Sequence, residues 1–174
     1  MKNKVILVGY MAAGKTTIAE KLSKKIDLEF VDLDKFIENR EGSTIDDLFK
    51  DRGEVYFRKQ EHLYFKRLVE NKKSYIISTG GGTPCYSDNH LLLQHNNVIS
   101  FYLKASIETL VQRLNTSKIK RPILENFSGD ELSNFIGNHL FERSFFYLKA
   151  KHIIDVNDKS TDQIVDEILS KLNQ

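Results

Sequence analysis

The size, composition and charge of the chain limit the classes of protein to which it can belong. Its 174 residues are enough for one domain with a sizeable core, and we expect a single domain over residues 1–174. A net charge of +2 argues against a nucleic-acid-binding protein. Cys85 is the only cysteine, so no intramolecular disulfide can form, and no apolar run approaches the roughly 18 residues of a membrane span. We therefore expect a cytoplasmic monomer with no nucleic-acid or membrane partner.

The first recognisable unit is a strand followed by a glycine-containing loop and a helix. Residues 4–8 are predicted as a strand, with an apolar run at 5–8, and residues 9–16 (GYMAAGKT) fit the phosphate-binding pattern G-x-x-x-x-G-K-[ST]. In such a loop, backbone N–H groups and the positive end of the next helix surround a phosphate. The lysine supplies charge to the β- and γ-phosphates, and the threonine hydroxyl can bind Mg²⁺. We therefore expect ATP-type nucleotide binding by Gly9, Ala12, Ala13, Gly14, Lys15, Thr16 and Thr17.

Strands and helices alternate along the rest of the chain. After a helix at 16–25, the sequence predicts strands at 29–31, 74–78, 98–103 and 152–156, and helices at 35–40, 44–50, 54–70, 87–94, 107–114, 130–150 and 161–172. Several strands are apolar on both faces, which is typical of a parallel sheet covered by helices on both sides. We therefore predict an α/β fold, a three-layer α/β/α sandwich with a five-stranded parallel sheet like that of P-loop nucleotide hydrolases. Ligands of such folds bind at the carboxyl ends of the strands.

Two carboxylates follow the second strand. Asp32 and Asp34 are two residues apart, so both can face the same way on an extended chain. One carboxylate can hold Mg²⁺ near Thr16, and the other can accept a proton from a substrate hydroxyl. The alternative is that both only cap the following helix, with Asp34 as its N-cap.

Three consecutive glycines, Gly80, Gly81 and Gly82, follow the third strand. Their N–H groups can approach an anion or a hydroxyl closely because no side chain intervenes. The alternative is a plain flexible turn. Three glycines in a row lose much conformational entropy on folding, which favours a ligand or tight packing.

Two pairs of helix residues have both a functional and a structural interpretation. Arg58 and Glu61 lie three apart on a predicted helix, and on sequence alone they are more typical of a surface ion pair than of a site. Arg143, with Tyr147 one turn later, is likewise either a solvated residue or a ligand of a substrate anion. Cys85 and the five histidines show no metal-ligand spacing and no catalytic partner, so we assign them no role.

A polar and basic connection at 115–129 is long enough to be a functional lid. Arg121 lies at its centre and can close over a transferring phosphoryl group, or it is simply a solvated loop residue. Arg113, just before the connection, can stack on a flat base.

Together these motifs resemble the ordered set found in shikimate kinases. The matching motifs are Gly-x-Met-x-x-Gly-Lys-Thr, Asp32-x-Asp34, Phe57-Arg58, Thr79-Gly80-Gly81-Gly82, Arg121-Pro122 and Arg143-x-x-x-Tyr147. The resemblance implies transfer of the γ-phosphoryl group of ATP to the 3-hydroxyl of shikimate, with Mg²⁺, in the pathway to chorismate and aromatic amino acids. The chain departs from the family at Ala12, where glycine is usual, so the loop is expected to differ slightly there.

The resemblance also implies how the phosphoryl transfer is carried out. Asp34 would hold the shikimate hydroxyls and act as base. Lys15 and Arg121 would stabilise the transferring phosphoryl group. Thr16 and Asp32 would bind Mg²⁺.

On the substrate side, the resemblance implies that Arg58 and Arg143 clamp the shikimate carboxylate through charge-assisted hydrogen bonds. Arg113 would lie on adenine. Segments near 32–67 and 115–129 would form a movable substrate-binding part and a lid. The remaining pocket residues would be Glu61, Gly80, Gly81 and Gly82, with Phe49 and Phe57 as walls.

Three alternatives stay open at this point. The first is another small-molecule P-loop kinase, such as a gluconate or nucleoside kinase, although the two arginines and the glycine triplet argue against it. The second is a regulatory nucleotide switch, although the sequence has no Asn-Lys-x-Asp guanine-reading motif. The third is a catalytically inactive relative, which is disfavoured by the presence of Lys15, Thr16, Asp34 and Arg121.

Overall fold

The computed structural model describes residues 4–116, 127 and 129–173. The strands are β1 (Lys4–Val8), β2 (Phe30–Asp32), β3 (Ile76–Ser78), β4 (Val98–Lys104) and β5 (His152–Asp155). The helices are α1 (Lys15–Ile26), α2 (Leu33–Glu41), α3 (Ile45–Glu70), α4 (Asn89–Leu92), α5 (Ile107–Thr116), α6 (Gly129–Tyr147) and α7 (Thr161–Leu172). The five strands form one sheet in the order β2-β3-β1-β4-β5, with every neighbouring pair parallel. The prediction of a five-stranded parallel α/β fold is confirmed.

The central strand β1 shows why the sheet needs helices on both faces. Val5 and Leu7 pack into a core that includes residues of α1, α5 and α7, whereas Ile6 and Val8 pack into a second core with residues of α2 and α3. All four side chains are buried. Because successive strand residues point to opposite faces, each face of β1 contributes apolar area to its own helix layer. Burial of each such side chain stabilises the fold by about 1.5–3 kcal/mol.

The strand order brings three chemically rich segments to one edge of the sheet. In the register of the sheet, Ser78 of β3 lies opposite Leu7 of β1 and opposite Asp32 of β2. The phosphate-binding loop begins just after β1, and the glycine triplet begins just after β3. The carboxyl ends of β1, β2 and β3 are therefore neighbours, and the segments that follow them share one site.

The start of α2 differs from the prediction. The N-cap is Asp32, whose Oδ1 accepts a 3.2 Å hydrogen bond from the backbone N–H of Lys35. Asp34, which the sequence suggested as the cap, lies instead in the first turn of the helix. The reason is that β2 continues to Asp32, whose extended backbone is the conformation that an N-cap requires. Asp34 is thereby left for another role.

The α3 region agrees with the prediction of two helices at 44–50 and 54–70. The label α3 covers both, but the backbone is non-helical at Gly53, where φ is 79° and ψ is 165°. Thr44 caps the start of the first of these helices, because its side chain accepts a hydrogen bond from the N–H of Asp47. The helix predicted at 87–94 is only the short α4, which follows a 3₁₀ turn at Thr83–Cys85. Among the described helices, none has the length and apolar character needed to span a bilayer.

Candidate active site

The loop between β1 and α1 owes its shape to glycines at its two ends. Gly9 has φ 146° and Gly14 has φ 96°, values that residues with a side chain rarely adopt. A Cβ at Gly9 would also lie 2.7 Å from the carbonyl oxygen of Leu103 on β4. Glycine at position 9 therefore lets the loop leave β1 while packed against the next strand, and Gly14 turns the chain into α1.

Lys15, the first residue of α1, folds back over this loop. Its Nζ donates hydrogen bonds of 2.9 Å to the carbonyl oxygens of Gly9 and Tyr10. The side chain is largely buried, so its charge acts in a region of low dielectric constant. The ammonium group thus lies inside the loop, where a phosphate would bind.

Arg113 from α5 holds the other half of the loop. Its Nη1 donates to the carbonyl oxygen of Ala13 at 3.2 Å and to that of Ala12 at 3.4 Å, and its Nη2 donates to Val156 at 3.0 Å. Ala12 has φ 63°, a left-handed conformation that glycine adopts without cost and alanine does not. The loop therefore keeps the backbone path expected of glycine at this position, although the residue is alanine. The predicted stacking of Arg113 on adenine stays a prediction.

Oxygen atoms from three elements meet at the start of α1. Thr16 Oγ1 donates a 2.9 Å hydrogen bond to Asp32 Oδ2 and lies 3.4 Å from Ser78 Oγ. One carboxylate and two hydroxyls form a set of oxygen ligands of the kind that Mg²⁺ prefers, with the remaining positions supplied by water or phosphate. Among the described residues, no cluster of three His, Cys, Asp or Glu side chains could hold a metal ion alone. The donor set therefore fits a magnesium ion that is shared with a nucleotide.

Asp34 lies on the other side of the loop, against the glycine triplet. A Cβ at Gly80 would lie 2.9 Å from Asp34 Oδ1 and 3.2 Å from Glu61 Oε1. Burial, followed by the negative charges of Asp32 and Glu61, raises the pKa of the Asp34 carboxyl to about 6, despite the opposing effect of two nearby cations. This carboxylate is still mostly ionised at neutral pH, yet it is more basic than an ordinary aspartate. Both properties suit a group that accepts a proton from a hydroxyl.

The pair Arg58–Glu61 is not on the surface. Glu61 is only 1% exposed and accepts a 2.8 Å hydrogen bond at Oε2 from Arg58 Nη1. Arg58 Nε also donates to Glu54 at 3.4 Å, and its Nη2 would be 2.8 Å from a Cβ at Gly82. The interpretation as a solvated ion pair, favoured by sequence alone, is therefore wrong, and the guanidinium lies directly against the triplet.

Arg143 and Tyr147 of α6 approach the same glycines. The hydroxyl of Tyr147, a buried residue, donates a 2.6 Å hydrogen bond to the carbonyl oxygen of Gly81. Arg143 Nη1 would be 3.8 Å from a Cβ at Gly81. Arg143 is half-buried, and its Cζ lies 5.7 Å from the centroid of the Tyr10 ring, while its binding of a substrate anion stays a prediction. Two arginines from distant segments border adjacent glycines, Arg58 at Gly82 and Arg143 at Gly81.

A cavity of about 520 Å³ joins the phosphate-binding loop to Asp34. Its lining includes residues 11–18, both aspartates, Arg113 and the first two glycines of the triplet. This volume lies in the range of small-molecule and nucleotide sites. Arg58, Glu61 and Arg143 border the triplet beside this cavity rather than line it. Gly80 and Gly81 are therefore the boundary between the nucleotide side and the two arginines.

The start of α7 contributes cavity residues that sequence reasoning missed. Lys159, Thr161 and Ile164 line the cavity together with the loop. Ser160 and Gln163 form a capping box at this helix start, with both reciprocal hydrogen bonds present. The S-x-x-Q spacing could have located the helix start, but nothing local indicates that this start lies over the phosphate-binding loop.

For the remaining predicted site residues, the structure gives only a few contacts or no description. Phe49 and Phe57 pack with ring centroids 4.7 Å apart but do not line the described cavity, so their part in a pocket wall stays a prediction. Thr17 lines the cavity. Arg121, Pro122 and most of the predicted lid at 115–129 lie outside the described residues.

Comparison with known proteins shows the family. The family model described as "Shikimate kinase" matches residues 11–173. The shikimate kinase of Flavobacterium psychrophilum is 52% identical over 165 residues, which cover 95% of this chain and 96% of that protein. The shikimate kinase of Flavobacterium johnsoniae is 48% identical, with 97% and 98% covered. The chain belongs to the shikimate kinase family.

Solved structures agree with this assignment. The crystal structure of shikimate kinase from Bacteroides thetaiotaomicron matches with a TM-score of 0.90 and 34% identity, covering 99% of both chains. Shikimate kinase from Acinetobacter baumannii in complex with shikimate matches with a TM-score of 0.86 and 30% identity, covering 98% of this chain and 93% of that one. A gluconokinase from Sinorhizobium meliloti, at 15% identity and a TM-score of 0.60, shares the fold alone.

Proposed function

We infer that the chain is an ATP-dependent shikimate kinase, which transfers the γ-phosphoryl group of ATP to the 3-hydroxyl of shikimate and releases shikimate 3-phosphate and ADP. This reaction belongs to the biosynthesis of chorismate and the aromatic amino acids. One observation carries the inference beyond family membership: the glycine triplet brings a basic carboxylate next to two arginines. Asp34 lies against Gly80. Arg143 and Arg58 border the next two glycines.

The two arginines account for selection of an acidic substrate. Shikimate carries one carboxylate and three hydroxyls. We propose that Arg58 and Arg143 bind the carboxylate from two sides through charge-assisted hydrogen bonds. Arg58 Nε and Nη1 donate to glutamates, so its Nη2, beside Gly82, is positioned to donate to the ligand. The ring is thereby oriented with its hydroxyls toward Gly80 and Gly81, near Asp34.

Asp34 acts as the base in this proposal. As the substrate oxygen forms its bond to the γ-phosphorus, the carboxylate accepts the hydroxyl proton, and the bond from phosphorus to the ADP oxygen breaks. The protonated Asp34 then returns its proton to solvent. A pKa of about 6 lets the group complete both transfers near neutral pH.

The phosphate-binding loop holds the donor. We propose that the backbone N–H groups of residues 9–17 and the Lys15 ammonium bind the β- and γ-phosphates. Thr16 and Asp32 hold Mg²⁺, which when bound neutralises phosphate charge. On the family resemblance we also assign Arg121 to the transferring phosphoryl group and the segment near 115–129 to a lid that excludes water.

We further propose that the enzyme is a cytoplasmic monomer. The single cysteine is consistent with a reducing compartment. Sedimentation of the purified protein tests the monomer directly.

A substrate panel tests the activity. ATP consumption is measured with shikimate, gluconate and deoxyadenosine as acceptors, and shikimate 3-phosphate is quantified against ADP. We expect turnover with shikimate alone and equal amounts of the two products. Fast turnover on gluconate or a nucleoside without turnover on shikimate would overturn the proposal, as would GTP hydrolysis that ignores shikimate.

Arginine variants test the carboxylate clamp. Arg58→Ala and Arg143→Ala each remove charge-assisted hydrogen bonds worth about 1.5–3 kcal/mol, so the KM for shikimate should rise roughly 10- to 150-fold with little change in the KM for ATP. Arg52→Ala is the matched control, since Arg52 lies on the same helix but donates to Tyr56. An unchanged KM for shikimate in Arg58→Ala would contradict the clamp.

A further inference from the structure

A chain of hydrogen bonds runs from Arg58 into the interior of the fold. Arg58 Nη1 donates to Glu61 Oε2 at 2.8 Å, and Thr83 Oγ1 donates to the other oxygen, Oε1, at 2.6 Å. Asn89 Nδ2 donates to the carbonyl oxygen of Thr83 at 2.7 Å. Asn89 Oδ1 lies 2.7 Å from His62 Nδ1. Three segments of chain, α3, the 3₁₀ turn and α4, are connected in this way, and one end of the connection is the proposed carboxylate clamp.

The central members of this chain are buried. Glu61 is 1% exposed, and Thr83 and Asn89 are fully buried. Burying a carboxylate and an amide costs free energy that hydrogen bonds only partly return, and apolar residues of similar volume are often as stable. Stability alone is therefore a weak explanation for a polar network here. A stronger explanation lies at its open end, where the Arg58 guanidinium meets Gly82.

Thr83 is the point where this network meets the glycine triplet. It follows Gly82 directly and begins the 3₁₀ turn. Its N–H donates to the carbonyl oxygen of Gly80 at 3.2 Å, while its hydroxyl occupies Glu61 Oε1. Because one carboxylate oxygen is held by Thr83, the other is fixed toward Arg58. One residue thus sets both the path of the triplet and the orientation of the carboxylate behind it.

Asn89 secures Thr83 from the far side. Its side-chain amide bonds to Thr83 through Nδ2 and contacts His62 through Oδ1. His62 is the neighbour of Glu61 on α3. The segment 83–89 is therefore joined to α3 at two consecutive residues, which limits sliding of the triplet relative to Arg58.

We propose that Thr83 and Asn89 are positioning residues for recognition of the substrate carboxylate: they hold the Glu61 carboxylate so that the Arg58 guanidinium stays aligned at Gly82. Neither side chain contacts the reacting atoms. The inference rests on the proposed function, in which Arg58 binds the carboxylate of shikimate.

The test compares variants that remove one hydrogen bond at a time. Thr83→Val keeps the shape of the side chain and removes its donor, so the KM for shikimate should rise roughly tenfold, while kcat and the KM for ATP stay within about twofold. Thr83→Ser keeps the hydroxyl and should restore the KM. Asn89→Ser removes the hydrogen bond from Asn89 to the carbonyl oxygen of Thr83, so it should also raise the KM for shikimate. This variant provides the test if Thr83→Val does not fold. The dissociation constant of shikimate, measured by calorimetry, should follow the KM.

Ser100→Ala is the control for a purely structural effect. The Ser100 hydroxyl is equally buried, donates to the carbonyl oxygen of Leu93 at 2.8 Å and accepts from the N–H of Lys151 at 2.9 Å. Its loss should lower the melting temperature without changing the KM for shikimate. If Thr83→Val and Asn89→Ser behave like Ser100→Ala, the positioning role is overturned.

A double variant separates failure of this inference from failure of the proposed function. If Thr83 acts through Arg58, then Thr83→Val should add little to the KM of Arg58→Ala. Full additivity of the two effects would overturn the inference while leaving the clamp in place. An unchanged KM for shikimate in Arg58→Ala alone would instead contradict the proposed carboxylate clamp, and the positioning role of Thr83 and Asn89 would lose its basis as well.

Discussion

Gly80 lacks a side chain where the carboxylate of Asp34 approaches it: an added Cβ would lie 2.9 Å from Oδ1. The backbone of Gly80 is not in the left-handed region, in contrast to Gly9 and Gly14. Glycine is therefore needed at position 80 for space and not for backbone conformation. The exchange of this one hydrogen for a methyl group acts on the position of the proposed base.

Gly80→Ala should consequently leave the fold intact and damage catalysis. Displacement of Asp34 by about 1 Å is expected to lower kcat by about 10²-fold, because the base loses its alignment with the hydroxyl. Gly42→Ala gives the opposite pattern. Gly42 ends α2 at φ 66° with open space around its Cβ position, so alanine there should cost about 1 kcal/mol of stability and leave kcat unchanged. Steady-state kinetics and thermal melts distinguish the two, and a fully active Gly80→Ala enzyme would contradict the placement of Asp34.

The pKa of Asp34 predicts how activity depends on pH. Only the ionised carboxylate can accept a proton, so kcat/KM should fall as the pH drops through about 6. Asp34→Asn should lose most of the activity and this acidic limb, while still binding ADP. A pH–rate profile between pH 5 and 8 is the measurement, and an acidic limb that survives in the residual activity of Asp34→Asn would assign it to another group.

The raised pKa of Asp34, which suits a catalytic base, lowers the stability of the folded protein at neutral pH. Because the pKa of Asp34 is raised on folding, the ionised form is disfavoured in the folded protein. The cost is fully present above pH 6 and disappears below the ordinary aspartate value of about 4, where both states are protonated. Asp34→Asn should therefore be more stable than the unaltered protein at pH 7.5, and this gain should vanish near pH 4. Urea melts at both values test it; a gain of equal size at both would point to a cause other than ionisation.

Asp32 has two tasks that a pair of variants can separate. It caps α2 through Oδ1 and accepts from Thr16 through Oδ2. Asparagine caps helices as well as aspartate, so Asp32→Asn should keep the stability but raise the Mg²⁺ concentration needed for half-maximal activity. Asp32→Ala should do the same and lose about 1 kcal/mol of stability in addition. Magnesium titrations and melts on both proteins provide the comparison, and equal stability of the two variants would remove the capping role.

Ala12 offers a route to a more stable loop. With φ at 63°, alanine is in a conformation that costs about 1–2 kcal/mol, which glycine avoids at the expense of roughly 0.5–1 kcal/mol in the unfolded chain. Ala12→Gly should therefore be neutral or slightly stabilising. Ala13→Gly is the control: Ala13 is buried and not left-handed, so its replacement should destabilise. A thermal melt in which both variants lose stability alike would show that the conformation of Ala12 carries no strain.

Much of the fold was predictable because its signals are local. The apolar run of β1, the phosphate-binding pattern and the Thr44 cap each depend on a few adjacent residues, and the structure contains all three. Asp34 is a possible N-cap on sequence alone, but the N-cap is Asp32, because β2 extends to that residue and its backbone is still extended there. Local sequence propensity does not define the end of a strand or the start of a helix to within one residue.

The candidate site was harder to predict, since its arrangement depends on contacts between distant segments. The spacing of Arg58 and Glu61 is the same in a surface pair and in a buried one. Glu61 is buried, and its Oε1 accepts a hydrogen bond from Thr83, 22 residues later in the chain. The same holds for Lys159, whose place at the cavity comes from the packing of α7 and not from its neighbours in sequence. The family resemblance implies roles for Arg58 and Glu61, but not for Lys159, because it encodes long-range contacts of that pair implicitly.

Four carbonyl oxygens of the phosphate-binding loop already accept hydrogen bonds from cations, those of Gly9 and Tyr10 from Lys15 and those of Ala12 and Ala13 from Arg113. We expect the two cations to respond differently to nucleotide binding. Arg113 can keep its hydrogen bonds to the carbonyl oxygens of Ala12 and Ala13, so it would stabilise the loop both with and without nucleotide. In the proposed function, the Lys15 ammonium turns from these carbonyl oxygens toward the phosphate oxygens. The same cation would then stabilise the loop before nucleotide binding and the phosphates after it.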